Sequence, residues 1–153
     1  IYATIIRSGD GYIFEPHGPS RIGNREISSP TPLQNGYEIR LGQSVRLEFR
    51  LPSVLSGTAV LSFLSDHRPK YSVDGVIMME DNFLLGSGPE NHVICPEVTE
   101  PLVLFRRDGQ IWCKCRESVM IDGKLNEQGG PIQPGNVVTA MDLRFRLEDI
   151  PTQ

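Results

Sequence analysis

The sequence has 153 residues, room for one generous domain or one and a half small ones. A hydrophobic fraction of 39% with 22% charged residues fits a packed globular chain and not wholesale disorder. A formal net charge of −4 argues against nucleic-acid binding, because a phosphate-tracking surface needs clustered excess Lys and Arg.

The 15 glycines and 12 prolines predict many turns and no long helix. No stretch approaches the length of a membrane span, and no basic segment precedes an apolar run, so neither a span nor a signal peptide is expected. The chain opens mid-pattern on Ile1-Tyr2-Ala3-Thr4-Ile5-Ile6 without a Met, which reads as a piece of something longer.

Alternating and β-branched runs, each closed by a turn signal, predict strands along the whole chain. Ala3 to Arg7 is followed by the turn Ser8-Gly9-Asp10-Gly11 and the return Tyr12-Ile13-Phe14. Pro16 to Ser20 is a loop, and Ile22 to Ile27 folds around Gly23-Asn24. Gln34-Asn35-Gly36 turns into Tyr37 to Leu41. Ser44 to Leu51 alternates polar and apolar without a break, the pattern of a half-buried strand, and Pro52 ends it. Thr58 to Leu64 is a further strand, and the polar run Ser65 to Lys70 is the expected boundary, giving units 1–68 and 69–153. Beyond it come Val76 to Met79, Phe83 to Gly86, Val93 to Cys95, Leu102 to Arg106, Gln110 to Cys115, Val119 to Ile121 and Asn136 to Leu147.

An internal repeat organises these elements, at an offset of about a hundred residues, the size of one small β-sandwich. Thr4-Ile5-Ile6-Arg7 matches Val103-Leu104-Phe105-Arg106, and Asp10 to Phe14 matches Asp108 to Trp112. Ile22-Gly23-Asn24 matches Ile121-Asp122-Gly123, and Leu33-x-x-Gly36 matches Ile132-x-x-Gly135. Val45 to Leu51 resembles the stretch ending in Leu147, which sets Phe49 against Phe145 as inward anchors. The fold class is therefore an all-β antiparallel sandwich, with a first copy lacking its opening strands and a second nearly complete. Trp112 belongs to the core or its margin.

This order of strands and turns resembles the forkhead-associated (FHA) domain, a β-sandwich that reads phosphothreonine peptides from loops at one end. In the second copy Phe83-Leu84-Leu85-Gly86 resembles the family's strand ending in Gly-Arg, with Ser87 where the family carries Arg. Thr99 takes the family's Ser position, and Leu102 replaces its His. Val119 to Gly123 resembles the Val-Asn-Gly stretch, and Ile132 to Val138 resembles Leu-x-x-Gly-Asp-x-Ile. In the first copy Tyr2 takes the His place, Gly18-Pro19-Ser20 takes the Asn-Gly-Thr place, and Leu33 to Gly42 matches the closing motif. The resemblance implies a peptide-recognition module. Losing the phosphate-binding Arg and the backbone-clamping Asn implies that its phosphothreonine pocket is degenerate.

His17, Ser20, Arg21 and Arg25 fall in one first-copy loop region at the family's binding end and, with Ser87 and Thr99, are the candidate peptide-binding residues. No catalytic constellation accompanies them: His17, His67 and His92 lie in three separate turn regions, and no nucleotide-binding glycine motif occurs. Cys95, Cys113 and Cys115 lack metal-ligand spacing and read as reduced thiols, Cys113 and Cys115 on one strand face. No cofactor or metal is implied.

The expectation is a non-enzymatic, cytoplasmic protein–protein interaction module within a larger signalling or scaffold protein. Its partner is a protein or peptide, phosphorylated or not, with no nucleic acid and no membrane. The alternatives are a structural module that associates through exposed strand edges as a homodimer, and a working phosphothreonine-peptide binder.

Overall fold

The computed structural model describes residues 1–67 and 72–150. The described chain is all β, and it divides into two compact units, Ile1–Met79 and Glu80–Gln153. Among the described residues no helix is long and apolar enough to cross a membrane.

The first unit contains β1 (Ala3–Ser8), β2 (Gly11–Pro16), β3 (Ser20–Ile22), β4 (Arg25–Glu26), β5 (Thr31–Leu33), β6 (Glu38–Leu41), β7 (Val45–Arg50), β8 (Ala59–Phe63) and β9 (Gly75–Met78). The second contains β10 (Asn82–Gly86), β11 (Val93–Ile94), β12 (Leu102–Arg107), β13 (Gln110–Lys114), β14 (Val119–Ile121), β15 (Lys124–Asn126), β16 (Gly129–Ile132), β17 (Val137–Ala140) and β18 (Leu143–Arg146).

Each unit is a two-sheet sandwich. In the first, one sheet runs β1-β2-β5 and the other β4-β3-β6-β7-β8-β9. In the second, the sheets run β11-β10-β12-β13-β16 and β15-β14-β17-β18. Pairing is antiparallel apart from β10 with β11, where Leu85 and Gly86 stand beside Val93 and Ile94 in parallel register.

Alternation explains the cores. Tyr12 and Phe14 of β2, Ile39 of β6 and Leu47 and Phe49 of β7 point inward and are buried, while their sequence neighbours face outward. Leu102, Leu104, Cys113, Val119, Ile132 and Val138 do the same in the second unit.

The repeat is carried by hydrogen-bond register as well as by sequence. Strands β1 to β7 recur in order as β12 to β18, with the same neighbours in both sheets. Tyr12 opposes Leu33 as Ile111 opposes Ile132, and Pro32 opposes Ile13 as Pro131 opposes Trp112.

This register corrects two of the expected matches. Trp112 corresponds to Ile13, not Phe14, because the β12–β13 hairpin turns at Asp108-Gly109 where the first turns at Gly9-Asp10. Matching Asp10-Gly11 to Asp108-Gly109 slips the strand by one residue, and a one-residue slip exchanges the faces. Trp112 is accordingly half-buried, stacked on Phe105 at 6.4 Å and covered by the Arg107 guanidinium at 5.1 Å, while Cys113 fills the core. Likewise Phe145, opposite Val138, corresponds to Leu47 opposite Ile39, so the partner of Phe49 is Leu147. Both closing residues bond to the turn before them: Gly36 N–H donates to Phe49 and Gly135 N–H to Leu147.

The expected division at 68/69 falls outside the described residues on both sides, and the chain divides after Met79 instead. The reason is that β9 pairs with β8 and so belongs to the first unit. The four strands between the repeats are shared out: β8 and β9 extend the first unit beyond β7, and β10 and β11 extend the second beyond β12. The first copy is therefore not left short on its β7 side.

Candidate functional site

In the first unit the chain leaves β2 at Pro16 and crosses to β3 through His17-Gly18-Pro19. Two amides pin this crossing, His17 N–H and Gly18 N–H both donating to the Tyr2 carbonyl, at 2.8 and 3.0 Å. A Cβ at Gly18 would stand 3.0 Å from the exposed Tyr2 ring, which would have to shift to admit it. Gly42 N–H closes the far side onto the Pro19 carbonyl at 2.8 Å.

An open recess of 410 Å³ lies against this crossing, lined by residues 16–20 and by Glu26, Ile27 and Ser28. It contains two expected site residues, His17 and Ser20. His17 Nε2 and Thr4 Oγ1 hydrogen-bond at 2.8 Å. Ser20 is buried, and its hydroxyl donates to the Gly18 carbonyl at 2.9 Å within its own loop. It occupies the inward position that Val119 fills in the second unit, so its hydroxyl is spent on the local turn.

Arg21 and Arg25 do not converge. In the β3–β4 hairpin Arg21 opposes Glu26 and Arg25 opposes Ile22, so the two guanidinium groups leave opposite faces. Arg21 Nη2 donates to the Asn24 carbonyl at 2.9 Å.

The register places Arg21 with cations that sequence reasoning did not single out. Arg21 opposes Arg40 across β3 and β6, and Arg40 opposes Arg46 across β6 and β7, so three exposed arginines form one line on the outer face. Like charges directly opposite one another destabilise a sheet, so this line is maintained at a cost. Glu38 relieves one end, accepting from Arg46 Nε at 2.9 Å. That hydrogen bond, aided by Arg46 and Arg40 as nearby charges, holds the Glu38 carboxyl below its ordinary value. The second unit has Met120, Thr139 and Arg144 along the equivalent line. Strand register reveals the grouping, because the three residues lie on three different strands.

The remaining expected residues belong to the second unit. Ser87 is exposed just after β10, and Thr99 is exposed with its hydroxyl directed to Met141 Sδ at 3.6 Å. Leu102, in the family's His position, is fully buried in the core. His92 is also buried, with Nδ1 accepting from Leu84 N–H at 3.0 Å. The three cysteines are free thiols, and among the described residues no group of His, Cys, Asp and Glu could hold a metal ion. A recess of 850 Å³ in the second unit lies on the outer face of β10, β12 and β13 against Leu84, Val103 and Phe105, and includes none of the expected residues.

No family model matches this chain, and neither the curated proteins nor the solved structures include one that matches it.

Proposed function

We propose that the chain is a non-catalytic protein–protein interaction module of FHA type, in which the phosphothreonine pocket is degenerate and an acidic partner segment is held by the arginine line of the first unit. The observation that carries this reading is the alignment of Arg21, Arg40 and Arg46 across three strands. Arg40 stands at its centre, and Arg21 reaches it from the β3 side.

A phosphate-reading site needs a cation and several hydroxyl or amide donors converging on three oxygens. Ser20 is committed to Gly18, and Arg21 and Arg25 leave opposite faces, which supports degeneracy. An extended acidic segment needs less: spaced guanidinium groups on an exposed surface, contacting carboxylates with or without phosphate. The setting that fits is a cytoplasmic scaffold or targeting region of a signalling protein.

The test titrates fluorescent acidic peptides, each in phosphothreonine and unphosphorylated form, against the chain at two salt concentrations. The expected result is salt-sensitive binding with little phosphate preference, weakened roughly three- to tenfold by Arg40→Ala. A strong preference for the phosphorylated form would overturn the degenerate pocket. Binding indifferent to Arg40→Ala would overturn the arginine line.

A further inference from the structure

Strand β12 reads Leu102-Val103-Leu104-Phe105, apolar at four successive positions, where a strand with one wet face would alternate. Leu102 and Leu104 fill the core, so Val103 and Phe105 stand on the outer face of their sheet. Register sets their neighbours there. One row runs Phe105, Trp112 and Pro131 across β12, β13 and β16, and the next runs Leu84, Val103 and Lys114 across β10, β12 and β13. Five apolar side chains thus form one block outside the core, and the 850 Å³ recess opens over three of them, Leu84, Val103 and Phe105. The repeat places no strand over this face, because its strands fill the two sheets of each unit.

Charge indicates what the block accepts. Lys114 and Arg116 line the recess, against one carboxylate among the described residues, Glu100. Two residues beyond Phe105, Arg107 lies over the Trp112 ring, so cations bound the apolar rows at both ends. The first unit differs at the same positions: Thr4 opposes Glu15 where Val103 opposes Lys114. Its equivalent row carries a hydroxyl and the opposite charge.

We propose that this face of the second unit docks an extended segment of a partner protein, in which large apolar side chains are flanked by acidic ones. The apolar residues cover Leu84, Val103 and Phe105. The carboxylates meet Lys114 and Arg116 at one end and Arg107 at the other. The apolar block supplies the buried centre of the interface, and the cations at its rim select the partner and orient it. The proposal does not rest on the arginine line of the first unit.

Trp112 is the single tryptophan of the chain, so its emission reports this face directly. The probe is the end-blocked peptide Glu-Glu-Ile-Phe-Leu-Glu-Glu, titrated into the whole chain at low salt. A saturable shift in Trp112 emission is expected, its midpoint rising roughly three- to tenfold as salt is brought to physiological strength. The same peptide with Lys for every Glu is expected to bind at least about tenfold more weakly. Lys114→Glu and Val103→Thr copy the residues that the first unit carries at these positions, so they suit the fold. Each is expected to weaken binding roughly three- to tenfold. Arg40→Ala is expected to leave the midpoint unchanged, which separates this surface from the arginine line. Emission indifferent to the peptide would overturn the proposal, and so would equal binding of the lysine peptide. Self-association that shields Trp112 without any peptide would overturn it too, by assigning the face to a second copy of the chain.

Discussion

The Tyr12 hydroxyl donates to the Gly57 carbonyl at 2.5 Å, tying β2 in one sheet of the first unit to the segment that enters β8 in the other. The same ring meets Phe49 edge-on at 5.5 Å and lies under the Arg7 guanidinium at 5.1 Å. Tyr12→Phe keeps the ring contacts and removes the hydroxyl, which also approaches the Met78 carbonyl at 3.3 Å and accepts from Arg7 Nη1 at 3.1 Å. Arg7 Nη1 still donates to Gly57 at 2.6 Å, so the carbonyl is not orphaned. The expected loss is about 1 kcal/mol, measured from the slowest-exchanging amides of β2 and β7.

Two glycines of the second unit separate backbone strain from steric overlap. Gly109, at φ +76° in the β12–β13 turn, has nothing within 4 Å of a built Cβ. Gly129, at φ +102°, has the Cys113 carbonyl where its Cβ would go. Gly109→Ala is expected to cost about 1 kcal/mol, the left-handed penalty alone. Gly129→Ala is expected to cost about 3 kcal/mol or more, because β13 and β16 must move apart. Trp112 fluorescence in a denaturant titration reads both, and equal losses would contradict the distinction.

Asp122 does in the second unit what a bare turn does in the first. Its carboxylate accepts from Val137 N–H at 2.8 Å and from Asn136 Nδ2 at 2.6 Å, while its backbone sits at φ +50°. The first unit has Gly23 here, at φ +60°. Asp122→Gly is expected to relieve the backbone but lose both hydrogen bonds, for a net cost of about 1 kcal/mol. Asp122→Ala keeps the strain and loses the same bonds, and is expected to cost about 2 kcal/mol. The order of the two unfolding midpoints checks the assignment.

The strands that period-2 alternation marks, such as Val45–Arg50, were legible because one face of each is buried. β5 and β16 were not, since Pro32 and Pro131 sit inside them and proline argues against a strand. Both are the last strands of their sheets, where a missing N–H removes no ladder bond. The repeat was legible from turn residues, but its register was not: the Asp-Gly match placed Trp112 on the wrong face. Of the candidate site, the loop of His17 and Ser20 was found, whereas Arg40 and Arg46 joined Arg21 only through cross-strand pairing.

Cys113 makes the stability of the second unit depend on alkaline pH. Burial, with Cys115 as the smaller cause, pushes its thiol up to about 12 from an ordinary value of 9.0. The folded chain therefore keeps a proton that the unfolded chain releases between those values. The contribution is whole below pH 9 and is lost as pH rises toward 12, because unfolding then yields a solvated thiolate. Cys95 is raised as well, by burial first and Glu97 second, but it is only half-buried. Near pH 8 a thiol reagent is expected to modify Cys95 first, and Cys113 only at the rate at which the second unit opens. Cys113→Val removes the titrating group while keeping an apolar side chain, so its stability between pH 8.5 and 10.5 should fall less steeply than that of the unsubstituted chain. Parallel pH profiles for the two proteins would mean that the thiol proton is not what the core retains.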